Sequence, residues 1–276
     1  MRSSSRQGKK RRADGFSVFA VAVALLVILF ISSAIFAILA GGAGNFVENL
    51  SSEELRFALK LSLCTSSIST ALVMLLALPT AYALTRTAMP FKRLSSLVIE
   101  LTLSLPYLLL GLALLIMFSS PAGKWLKAQG FAVVFSPAGI VMAHLLVNLP
   151  YGVRLVKTSF EEADLRLEFI AATLGASRFK SFLSILLPLC RADLVSTAIL
   201  TWSRAMGEFG ATLMLVGITR MKTETLPGSI YLSISTGRND TAMSTAVLML
   251  LISAGALFLS QIASGKSRGR RRVERR

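Results

Sequence analysis

Phe16–Ala40, FSVFAVAVALLVILFISSAIFAILA, runs for 25 residues without a single charge. Roughly 20 apolar residues at about 1.5 Å rise each carry a helix across about 30 Å of hydrocarbon. That stretch therefore decides the class of fold, and the rest of the chain repeats it. Leu61–Thr85 and Leu101–Ala122 are further uncharged runs, and Phe131–Val153 has only His144 as a strongly polar side chain. Leu194–Thr219 is interrupted by Arg204 and Glu208, and Thr241–Ser264 closes the series. No window alternates with period two over several strands, which argues against a β-barrel. The expectation is an all-α membrane protein with six transmembrane helices.

Composition agrees. Hydrophobic residues make up 54% of the 276 residues and charged residues 16%, and the mean hydropathy is +0.66. A soluble domain carries about 25% charge, and a disordered chain has few apolar residues, so both classes are excluded. The net charge of +16 raises nucleic acid as a partner, but the positions of the charges answer it. With both ends inside, 22 of the 30 Lys and Arg residues fall on the cytoplasmic side, in the sense of the positive-inside rule. Basic tails at residues 1–15 and 265–276 then flank a six-helix body at 16–264 and lie beside anionic headgroups. No nucleic-acid role is implied. The long apolar run and the poor cleavage pattern of Gly41-Gly42-Ala43 read as a retained first span rather than a signal peptide. Cys64, near the outer end of the second span, and Cys190, at the inner start of the fifth, fall on opposite sides of the bilayer and offer no disulfide framework.

About 40 residues separate the fourth span from the fifth, and they are the most charged interior part of the chain. Ser159-Phe160-Glu161-Glu162 fits a capping box that would start a helix. Ala163, Leu167, Ile170 and Leu174 recur as an apolar stripe, and Gly175 suits a left-handed cap. A second helix over Arg178–Leu187 would end at Pro188. Helix, glycine turn, helix at 159–188 reads either as a plain amphipathic hairpin or as a docking element. Phe169, well off the stripe, favours docking.

Gly175, nine residues, then Ile185-Leu186-Leu187-Pro188 resembles the EAA loop of permease subunits in binding-protein-dependent ABC importers. Ala171-Ala172-Thr173-Leu174-Gly175-Ala176-Ser177 is similar to the same loop. The chain departs at the triplet: Phe169-Ile170-Ala171 stands where Glu-Ala-Ala is usual, and the acid is Glu168, one position earlier. The resemblance covers about Leu59 to Gln261. It implies the type I importer permease fold, with a cytoplasmic coupling loop whose residues Glu168, Phe169, Ile170, Ala171, Ala172, Gly175, Ala176, Ser177, Ile185, Leu187 and Pro188 face an ATPase. Gly207-Glu208-Phe209-Gly210-Ala211-Thr212 and Thr225-Leu226-Pro227-Gly228-Ser229-Ile230-Tyr231 look like the molybdate, tungstate and sulfate branch. On similarity, molybdate or tungstate is favoured over sulfate. The implied assembly is a homodimer with two cytoplasmic ATPase subunits, which bind ATP and magnesium, and an external oxyanion-binding protein.

An ionisable group within a span is a functional-site hypothesis by default. Arg204 and Glu208, four apart, would share a helical face. They read either as the lining of a translocation path, with Ser203, Gly207, Gly210 and Thr212 beside them, or as a structural pair. Thr201, Ser203 and Thr212 could offer hydroxyls to an oxyanion or bond their own i−4 carbonyls. His144 could relay protons or simply pack with a hydrogen bond. Pro79, Pro106 and Pro150 are candidate kinks. Catalysis in this chain is not expected. Gly265-Lys266-Ser267 imitates the end of a phosphate-binding loop, but Ser260 stands where its first glycine is required. No His/Cys cluster has metal-ligand spacing, and no resident cofactor is implied. The rival class, a membrane-embedded enzyme or sensor using the hairpin as a scaffold, requires reactive polar clusters near a membrane surface.

Overall fold

The computed structural model describes residues 15–44 and 46–274, with side chains as far as Ala263. Most of the basic tail at 1–15 and the last two residues lie outside the described residues. Among the described residues every regular element is a helix. Gly15–Gly42 (α1) is the first span and Phe46–Leu50 (α2) a short link. Glu53–Arg86 (α3) is the second span. Lys92–Ser104 (α4), Tyr107–Ser119 (α5) and Pro121–Ala128 (α6) follow, then Pro137–Glu161 (α7). Leu165–Thr173 (α8) and Arg178–Ser181 (α9) lead through a π-turn at Phe182–Leu186 into Leu187–Met206 (α10). Gly210–Val216 (α11), Leu226–Ser235 (α12) and Asn239–Glu274 (α13) complete the chain. Five helices are long and apolar enough to cross a membrane, six if the bent pair α4–α5 counts as one span.

That bend corrects the expectation of one straight span over Leu101–Ala122. α4 and α5 meet at 111°. Leu105 is extended (φ −76°, ψ 140°) before Pro106, as the ring of a following proline demands. Pro79 and Pro150, by contrast, sit inside continuous helices. The expected span Leu194–Thr219 is also corrected. Its helix runs over 29 residues from Arg178 to Met206 and stops at Gly207, after which α11 starts afresh at Gly210. Proline 188 does not break it. The π-turn, closed by the Leu187 amide on the Phe182 carbonyl, widens the helix one turn earlier, and Pro188 falls in the first turn of α10, where its missing amide is tolerated.

The bundle packs around α3 and α7. Ala77, Ala81 and Leu84 of α3 meet Val153, Val156 and Phe160 of α7, with Leu186 and Cys190 completing the cluster. Small residues allow this closeness: a Cβ on Gly152 would lie 2.5 Å from Val73 Cγ1. A second cluster joins Leu110 and Leu114 of α5 to Ile140, Ala143 and Val147 of α7 and to Ala211 and Leu215 of α11. α1 is exposed along its length except at the half-buried Ile38 and at the buried Gly42, where a Cβ would come within 2.6 Å of the Met243 carbonyl of α13.

The two ends of the bundle carry different polar ties. At one end Glu54 accepts from Arg220 Nη1 (2.8 Å) and Arg238 Nη2 (3.0 Å), while Asn49 Nδ2 donates to Ser244 Oγ (3.0 Å). At the other end lie Arg86, the end of α7, and α8–α9. The expected capping box is overturned there. Ser159 lies inside α7, where its hydroxyl bonds Asp193 Oδ2 of α10 at 3.4 Å. The helix that follows is capped instead by Asp164.

Candidate functional site

Two places collect the residues singled out by the sequence. The first is α8 and its turn. Asp164 is extended (φ −68°, ψ 114°), and its Oδ1 accepts the Arg166 amide at 2.9 Å, which satisfies one of the orphan donors of the first turn. Gly175 (φ +83°) ends the helix as expected. The Ala176 amide reaches the Ala171 carbonyl (2.9 Å) and the Gly175 amide the Ala172 carbonyl (3.0 Å), the paired bonds of a Schellman turn. Ser177 then caps α9 through the Lys180 amide at 3.3 Å.

The stripe of Ala163, Leu167, Ile170 and Leu174 does not form an inward face. Ala163 is buried before α8 begins, whereas Leu167, Ile170 and Leu174 are exposed. Two turns of helix touch the bundle through the small Ala171, so the larger apolar side chains are left outside. Phe169 is exposed as predicted, at 70%, and Leu174 and Phe179 are exposed likewise, at 83% and 71%. Ala172, Gly175 and Ser177 are also exposed, Ala176 and Ile185 are half-buried, Leu187 is half-buried and Pro188 is exposed. Glu168 turns the other way, accepting from Arg86 Nε at 2.8 Å. Removing the cap by Asp164→Ala is expected to cost α8 about 1 kcal/mol. Amide exchange at Leu165–Leu167 should then quicken roughly fivefold in native-state hydrogen exchange.

The second place is the broken helix at Arg204. Gly207 ends α10 and Glu208 lies beyond it, so the expected shared face does not exist and the two side chains do not pair. Glu208 is buried, and its Oε1 accepts the Ala211 amide at 2.7 Å, satisfying a free donor in the first turn of α11. Arg204 instead donates from Nη2 to the Tyr107 hydroxyl. Its guanidinium carbon lies 5.3 Å from the Tyr107 ring centre and 4.8 Å from that of Tyr151, within cation–π range of both. Arg204 Nε is buried without a partner. Gly210 brings the chain close to this cage, since a Cβ there would be 3.3 Å from Tyr107 Cβ. Gly207 makes no such approach: its nearest neighbours are carbonyls of its own turn at 3.8 and 3.9 Å.

Ser203 is half-buried, while Thr201 and Thr212 are buried with hydroxyls that bond no i−4 carbonyl. His144 is buried and both ring nitrogens lack a partner, so the hydrogen-bonded packing role is not realised. The sequence reading missed Tyr107, Tyr151 and Arg86. A signal for the tyrosines was present: each directly follows a span proline, Pro106 and Pro150.

Residues 74–266 match the model of the binding-protein-dependent transport system inner membrane component. The chain belongs to that family. The match takes in α7 through α12 and both candidate places. The permease is 37% identical over 199 residues to the molybdenum transport system permease protein ModB of Mycobacterium tuberculosis, covering 71% of this chain and 75% of that one. It is 28% identical to the sulfate transport system permease protein CysW of Synechococcus elongatus, over 91% of this chain and 88% of that one. Among solved structures, a chain of a bacterial alginate ABC transporter, determined with a periplasmic protein carrying an alginate pentasaccharide, superposes with a TM-score of 0.67. That superposition covers 90% of this chain and 94% of the other at 15% identity, a likeness of fold. The expected ABC importer permease fold therefore holds, with the bent third span and broken fifth span as its local corrections.

Proposed function

We propose that this permease forms the translocation pathway of an ATP-driven importer for molybdate or tungstate. It works as a homodimer, with both termini on the cytoplasmic side. The observation that carries the reading is the guanidinium of Arg204, held inside the membrane-spanning region by two aromatic faces rather than by an acid. Such a cation keeps its charge available to a tetrahedral dianion, whereas a salt bridge to Glu208 would have cancelled it. Aromatic faces stabilise a cation while competing only weakly with an incoming anion. Ser203, Gly207, Glu208, Gly210 and Thr212 form the surroundings of that path. Glu208 is committed to the α11 amide and acts by fixing the broken helix.

The exposed Phe169, Leu174 and Phe179 supply the docking face for a separate ATPase subunit. Two such subunits close on ATP, drive the paired α8 segments together and turn the pathway outward; hydrolysis resets it. A solute-binding protein delivers the oxyanion at the end carrying Glu54, Arg220 and Arg238. The grouping of Arg86 with the α8–α9 end and of Arg220 and Arg238 with the opposite end supports this orientation. Higher identity to the molybdenum permease favours molybdate or tungstate. The broad coverage of the sulfate permease makes sulfate the second reading.

Uptake of labelled molybdate and labelled sulfate by cells with and without the chain tests the assignment. Loss of molybdate uptake alone, restored by the intact chain, is the expected result. Loss of sulfate uptake instead would move the substrate and keep the mechanism. No change in either would remove the oxyanion reading.

A further inference from the structure

Arg86 is the last residue of α3, and one guanidinium there joins three helices. Its Nε donates to Glu168 Oε1 of α8 at 2.8 Å. Its Nη2 donates to the Phe160 carbonyl at 2.6 Å and the Ala163 carbonyl at 3.3 Å, at the end of α7. The side chains of Arg86 and Glu168 are only 8% and 15% exposed. A pair so shielded is held far more firmly than a surface ion pair. The carbonyls it caps lie at the C-terminal end of α7, where the helix dipole also favours a cation. A lysine could meet one of these demands but not the whole set, because the planar fork directs separate donors to separate acceptors.

The surroundings show what this joint holds. α8 buries only Ala171 and exposes its larger apolar residues, so packing alone fixes it weakly. At the far end of the same segment, Phe182 packs edge-on against Tyr82 of α3 (5.1 Å) and Phe160 of α7 (6.2 Å). α3 and α7 are thus gripped at both ends of the α8–α9 excursion, by a charged joint before the turn and an aromatic one after it. α3 and α7 in turn pack along their length, and Tyr151 of the Arg204 cage projects from α7.

We propose that Arg86 is a positioning residue that carries displacement of α8 into the α3–α7 pair, and so links the docking face to the pathway. The inference rests on the reading of α8 as the ATPase-docking element. Glu168, one position before the family's usual acid, serves as an internal tether, and Phe169, in the family's acid position, points outward to the partner.

The test uses the full complex of permease, ATPase and binding protein in proteoliposomes. Molybdate transported per ATP hydrolysed is measured for the wild type, Arg86→Gln, Glu168→Gln and the double variant. Each single change is expected to lower that ratio about tenfold, as loss of a shielded charge-assisted bond implies. The double variant should fall about tenfold as well rather than about a hundredfold, since both changes break one link. Glu168→Gln leaves the Arg86 bonds to α7 in place, so it reports on the link even if Arg86→Gln assembles poorly. Unchanged ratios, or losses that multiply in the double variant, would overturn the inference. A wild-type chain that captures no ATPase would instead overturn the docking reading beneath it.

Discussion

Glutamine at position 204 is expected to abolish uptake, lowering it at least a hundredfold, while the complex still assembles. The side chain can keep a hydrogen bond to the Tyr107 hydroxyl, and it fills much of the space between Tyr107 and Tyr151. What it lacks is the charge. At about 4 Å and an effective dielectric constant of about 20, one pair of unit charges is worth about 4 kcal/mol, and a dianion carries two. Even half of one such attraction exceeds a tenfold effect in a binding constant. Arg204→Lys retains a cation but loses the planar group that lies over both rings, and should fall between the two. Uptake in cells, paired with size-exclusion elution of the purified complex, separates the outcomes. Undiminished uptake by the glutamine variant would sink the pathway role of Arg204. Loss of assembly in both variants would make the aromatic cage a packing device instead.

The first, second, fourth and sixth spans were legible because each is a solvent-transfer property of some 20 residues; the bend in the third and the break after Met206 were not. Gly175 was legible because a left-handed turn has a strong chemical preference, and its φ of +83° bears that out. Ser159 misled for the opposite reason. Its capping pattern is local, but its hydroxyl is used by Asp193, distant in sequence, and α7 continues past it. Arg204 and Glu208 misled in the same way. Spacing of four places side chains together only on an unbroken helix, and Gly207 ends this one. The partners that replaced Glu208 come from Tyr107 and Tyr151, nearly 100 and about 50 residues away. Arg86 and Glu168 are opposite charges 82 residues apart, and no periodicity links them. Pattern reading thus recovered what a segment does alone, and missed what two segments do to each other.

Leucine at Gly111 should dismantle the Arg204 site by packing alone. The α5 backbone approaches α11 so closely there that a Cβ would lie 2.5 Å from the Ala211 carbonyl oxygen and 2.7 Å from Ala211 Cα. These are backbone atoms, so no rotamer change can relieve the overlap, and the helices must separate. Overpacking of this kind costs about 3 kcal/mol, which corresponds to a fall of roughly 5 °C in the thermal midpoint for a chain of this size. The same pair of helices brings Gly210 against Tyr107, so separation also pulls the tyrosine from Arg204, and uptake should vanish with stability. Gly207→Ala is the matched control. A methyl there meets nothing closer than 3.8 Å, and the midpoint should stay within about 1 °C. Thermal unfolding in detergent, followed with uptake, distinguishes this from the charge effect. Arg204→Gln loses transport at an unchanged midpoint, whereas Gly111→Leu loses both together. A Gly111→Leu protein with wild-type midpoint and wild-type uptake would show that the α5–α11 contact does not hold the site.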